Sequence, residues 1–96
     1  MLLEKNETEL VGRWELKDGH VQGDAIEKRI TWLVKNVLKQ VAFTGGGYEI
    51  LYEDPNDGRY WELTFPHPWG QGAGPQRLSL LEKEAAATKY KIDERG

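Results

Sequence analysis

The fifteen residues Leu51 to Phe65, LYEDPNDGRYWELTF, constrain the fold of this chain more than any other stretch. Two segments dense in aromatic and aliphatic residues flank the cluster Asp54-Pro55-Asn56-Asp57-Gly58. Every member of that cluster favours a turn. Pro55 presets its φ, the Asp and Asn side chains bond back onto nearby backbone, and Gly58 is free to take φ > 0. The pattern predicts a β-hairpin with strands over 48–53 and 59–65. Leu51, Trp61, Leu63 and Phe65 are expected on the core face. Ile50, Tyr52, Tyr60, Glu62 and Thr64 are expected on the outer face, because a buried Glu62 would need a partner that the sequence does not identify.

The remaining segments complete an architecture around this hairpin. Residues 1–9 read as a loose or partly helical lead-in. Val11 to Val21 reads as another hairpin, with Asp18-Gly19 as a two-residue type I′ turn that pairs Lys17 with His20 and Leu16 with Val21. Trp14, Leu16 and Val21 are then expected on or near the apolar side.

From Asp24 to about Phe43, Ile26, Ile30, Leu33, Val34, Val37, Leu38 and Val41 recur at helical spacing. Asp24 suits the N-cap, Glu27 follows three residues later as in a capping box, and glycines 45–47 suit the stop. Trp32 falls on the side opposite the stripe, among Lys28, Lys35 and Lys39. After an irregular Pro/Gly-rich connection over 66–76, residues 77–81 read as a short strand and 82–90 as a short helix. Residues 93–96 are expected to fray.

The expected fold is therefore α+β in two layers: an antiparallel sheet of about five strands, one long helix on one face and a short C-terminal helix. Ninety-six residues form one domain over 1–96. The second sheet face is expected to lie partly in solvent.

Composition excludes several kinds of chemistry. Without cysteine there are neither disulfides nor thiolate metal sites, which agrees with a reducing cytoplasm. The first residues lack the apolar region of a signal peptide, and no apolar run approaches the ~20 residues that span a bilayer. A net charge of −3 argues against nucleic acid as a direct ligand. His20 and His67 fall in no metal-binding spacing, and Ser79 sits in a strand rather than on a nucleophile elbow. Gly45-Gly46-Gly47 and 70–74 match no phosphate-binding loop. No catalytic residue, metal or cofactor is assigned.

Charge singles out the central hairpin again. Between Glu49 and Glu62 stand five carboxylates (Glu49, Glu53, Asp54, Asp57 and Glu62) against one cation, Arg59. Tyr48, Tyr52, Tyr60 and Trp61 are interleaved with them. A carboxylate beside a turn is ordinarily a solvated capping group, and Asp54 and Asp57 suit that role. The cluster as a whole suits a surface that grips a basic protein. Tyr52, Glu53, Asp57, Tyr60 and Glu62 are the candidate contacts, joined by Trp69, an aromatic anchor in a Gly/Pro loop or a plug for the core edge.

Taken with ETELVG at 7–12 and GQGAGP at 70–75, the run DPNDGRYWELTFP resembles the immunity protein 27 family over about residues 7–90. Members are small bacterial proteins encoded beside polymorphic toxins, which protect the producing cell by binding the cognate toxin. The resemblance implies a cytoplasmic, non-enzymatic protein whose partner is a toxin domain. An acidic patch suits a basic toxin such as a nuclease. Two other readings stay open: an interaction module unrelated to any toxin, and a small hydrolase using the hairpin carboxylates.

Overall fold

A computed structural model describes residues 2–44, 46, 48–66 and 74–92. It is an α+β structure. In chain order the elements are β1 (Glu9–Val11), β2 (Trp14–Lys17), β3 (His20–Gly23), α1 (Ala25–Asn36), β4 (Lys39–Thr44), β5 (Glu49–Glu53), β6 (Tyr60–Thr64), β7 (Arg77–Leu81) and α2 (Lys83–Tyr90). Five strands form one antiparallel sheet in the order β1-β7-β6-β5-β4, while β2 and β3 form a separate two-stranded sheet.

Local chemistry places several elements where the sequence predicts them. Asp18 and Gly19 both take positive φ, 53° and 80°, and Lys17 faces His20 with Leu16 facing Val21. Asp24 caps α1: its Oδ1 accepts from the Glu27 amide at 2.8 Å. Ile30 and Leu33 of the helical stripe are fully buried against the sheet.

The helix stops seven residues short of the expected Phe43. The amides of Val37 and Leu38 both donate to the Leu33 carbonyl, at 2.9 and 2.8 Å, and Val37 leaves helical geometry at φ −121°. Residues 39–44, KQVAFT, then become the outer strand β4. Their β-branched and aromatic side chains suit a pleated edge as well as a helix, so apolar spacing alone did not mark the change. Val41 is the extra residue of a bulge, where the register slips between Gln40 and Ala42.

Membership of the main sheet also differs from the expected one. The strand pair β2–β3 lies outside it, and β1 and β4 occupy its two edges. Leu16 and Val21, expected on or near the apolar side, are exposed.

Two arginines bond to residues 2–8. Arg29 donates to both carboxylate oxygens of Glu7 at 2.6 Å and to the Leu2 carbonyl at 2.8 Å. From the other side Arg59 donates to the carbonyls of Glu4, Lys5 and Glu7. The β1 strand that follows pairs with β7 and buries Leu10.

A helix packs on each face of the sheet. On one, α1 packs Ile30, Leu33 and the adjoining Leu38 against Leu10, Tyr52, Trp61, Leu63 and Leu78. On the other, α2 packs Ala86 and Tyr90 against Leu51 and Tyr60. The second face lies partly in solvent, as expected: Glu9 on it is exposed and Val11, Arg77, Ser79 and Glu53 are half-buried, while β6 is buried over Tyr60–Leu63. No helix among the described residues is long and apolar enough to cross a membrane.

Candidate partner-binding site

The hairpin turn is built by Asp54. Its carboxylate accepts from the Asn56 amide at 2.9 Å, and its carbonyl accepts from Gly58 at 2.7 Å, with Gly58 at φ 76°. The Asp54 amide closes the loop by donating to the Arg59 carbonyl at 2.9 Å. Buried in its own turn, Asp54 shapes the backbone, as its position suggested.

This six-residue connection makes Glu53↔Tyr60 the last strand pair, so Tyr52 faces Trp61 and Leu51 faces Glu62. The expected faces are therefore mixed. Tyr52 points into the α1 core, and burial pushes its phenol pKa above the ordinary value. Leu51, expected beside Trp61, instead lies under α2 with Tyr60. In a strand, moving one residue along the pairing carries a side chain to the opposite face.

Glu62, expected on an outer face, is buried, and its partners come from α2. Its Oε2 accepts from the Tyr90 hydroxyl at 2.8 Å and pairs with Lys89 Nζ at 2.6 Å. Lys89 also pairs with Glu49 at 2.8 Å. Burial and the neighbouring Glu62 carboxylate push the Tyr90 phenol well above its ordinary range. Partial burial opposes the Lys89 charge, but its two carboxylate partners hold the ammonium pKa above normal. The short C-terminal helix was visible in the sequence; its role as the partner of a buried Glu was not.

Arg59 disposes of the fourth carboxylate. Its Nε donates to Asp57 at 2.6 Å while its guanidinium carbon sits 5.2 Å from the Trp61 ring centre. Partial burial works against the Asp57 charge, but the bonds to Arg59 hold its pKa below the usual value. Of the five carboxylates, only Glu53 makes neither hydrogen bond nor ion pair through its side chain among the described residues. The outward-facing acidic cluster is corrected accordingly: Tyr52, Tyr60 and Glu62 are buried, Asp57 is exposed but paired, and Glu53 is partly exposed and unpaired. Trp69 lies outside the described residues.

Beside Glu53 the sheet ends in a concavity that the sequence did not suggest. A groove of about 580 Å³ is lined by Arg59, Tyr60, Leu80, Leu81 and the start of α2, Glu82 to Glu84. Register places Leu81, Tyr60 and Glu53 in one cross-strand row. At the opposite end of the sheet, Phe43 and Tyr48 are exposed, and Tyr48 meets Phe65 edge-on at 6.3 Å. No group of three or more His, Asp or Glu able to hold a metal ion occurs among the described residues.

No curated protein and no solved structure matches this chain. The immunity protein 27 family matches it over residues 16–82, a span that holds β3 through β7 and the whole acidic hairpin. With more than half of its length matched, the chain belongs to the immunity protein 27 family, whose name implies an immunity protein for a toxin.

Proposed function

We propose that this protein neutralises one cognate bacterial toxin in the cytoplasm of the producing cell by stoichiometric binding, without turnover or cofactor. The family match carries this reading. Keeping a toxin from ever being free calls for a Kd near nanomolar, about −12 kcal/mol. A standard interface takes ~800 Å² per partner, roughly an eighth of the 6502 Å² surface of this protein. The open end of the β5–β6 hairpin, with Glu53 and Asp57, is the contact region in this reading. A net charge of −3 suits a basic toxin, and a nuclease is the class that most often presents basic surface.

The test is co-expression with the toxin gene adjoining this one. Growth is expected to depend on this protein only while the toxin is intact, and the two chains should co-purify at one to one. Growth that is indifferent to its loss, with a functional toxin present, removes the reading. Glu53→Lys is expected to slow association about tenfold at low salt, with the difference shrinking as salt rises.

A further inference from the structure

The groove between the sheet end and α2 contains a polar group that the fold leaves unused. Tyr60 is only 8 % exposed, and its hydroxyl has no hydrogen-bond partner among the described residues. Among those residues, only the indole nitrogens of Trp14 and Trp61 are sealed from solvent without a partner. The Tyr60 hydroxyl is therefore unbonded but not sealed from solvent, and Tyr60 lines the groove. A phenol held this way presents one donor and one acceptor on a rigid ring.

The charges around it favour a cation. Glu53 neighbours Tyr60 across the strands, and Glu82 and Glu84 line the groove, all three carboxylates lacking an ion-pair partner among the described residues. Against them stand Lys83, in the groove wall, and Lys39, which faces Glu53. Arg59 also lines the groove, but its charge is taken up by Asp57 and three backbone carbonyls. Glu82 is the N-cap of α2 and makes no capping bond, so its side chain is free to turn toward a ligand. The bare amides of that first turn favour an anion, but two carboxylates on the same turn offset them. Apolar walls from Leu80, Leu81 and the Tyr60 ring suit the methylene stem of a long side chain.

We infer that this groove receives an arginine or lysine side chain of the toxin, with the Tyr60 hydroxyl as acceptor and Glu53, Glu82 and Glu84 as the surrounding countercharge. The inference rests on the toxin-binding reading and names the chemistry of one contact within it.

Two measurements test it. First, N-acetyl-arginine amide is titrated into the isotope-labelled protein and followed by NMR, with N-acetyl-glutamate amide as the opposite-charge control. Saturable shifts are expected at Tyr60, Leu81 and Glu82 to Glu84 with the arginine probe alone. Shifts with the glutamate probe alone, shifts confined to other surfaces, or no saturable shift overturn the inference. Second, Tyr60→Phe and Glu82→Gln/Glu84→Gln are compared for binding to the cognate toxin. Removing a hydrogen bond to a charged group weakens binding about tenfold or more.

Tyr60→Phe keeps the ring and deletes an oxygen that the fold does not bond, so its melting temperature should match the wild type. Unchanged toxin affinity in both variants sinks the groove contact and leaves toxin binding standing. Absence of toxin binding by the wild-type protein sinks the functional proposal, while the probe titration still reports on the groove.

Discussion

Glu27 shows how much single atoms decide here. Its carboxylate is buried and accepts from the Gln76 amide at 2.8 Å and from Gln76 Nε2 at 2.7 Å, linking the start of α1 to the strand entering β7. Gly12 donates its amide to the Gln76 carbonyl at 2.8 Å, which brings its Cα against the same carboxylate. A Cβ on Gly12 would lie 2.1 Å from Glu27 Oε1 and 3.0 Å from its Cα, and one on Gly23 would lie 2.6 Å from its Cγ. The side chain is the movable part and the backbone is not, so Gly12→Ala forces Glu27 off Gln76. Overpacking of this kind costs about 1–3 kcal/mol, and the lost bonds to a buried carboxylate add to it. The expected result is a lower urea midpoint with an unchanged m-value. An unchanged midpoint would mean that the carboxylate has another place to go.

The decisive element is α2. Eight residues, with one alanine fully buried and one tyrosine, build a small core over the β5–β6 part of the second sheet face. The helix lacks a capping bond, so packing and the Glu62 contacts must hold it in place. Tyr90→Phe removes the hydroxyl that donates to Glu62 and leaves that buried carboxylate to Lys89. About 1–3 kcal/mol of stability should be lost in denaturant unfolding. Glu62→Gln in the same background should add less than it does alone, because both substitutions act on one bond. Strict additivity in that double-mutant cycle argues against the bond.

At the scale of the molecule, the segment before β1 is fastened to the middle of the chain. Arg29 from α1 and Arg59 from the hairpin both hold residues before β1, and β1 completes the sheet beside β7. The bidentate bond from Arg29, only partly opposed by burial, lowers the Glu7 carboxyl from its ordinary 4.5 to about 2. A pKa lowered on folding contributes stability that is complete above about pH 4.5 and is lost as pH falls toward 2. Glu7→Gln should remove part of that acid dependence, flattening stability against pH in this window. Parallel pH profiles for variant and wild type would show that Glu7 contributes no such term.

What could be read in advance was local. The Asp18-Gly19 turn, the Asp54 turn, the Asp24 cap and the Leu16–Val21 pairing depend on residues a few positions apart, whose φ preferences and short-range bonds act before any core forms. The helical stripe was likewise visible, but not its end: Val37, Leu38 and Val41 keep the same spacing in coil and strand, so only pairing of β4 with β5 distinguishes them. That Glu62 is buried rather than solvated was settled by a partner 28 residues away, where Tyr90 supplies the bond that makes this tolerable. Burial depends on what covers a surface, and the covering layers of this sheet come from segments remote in sequence. The acidic, aromatic composition of the hairpin is a property of its residues. Its exposure was decided by α2, with Lys89 and Tyr90, and by Arg59, which holds Asp57.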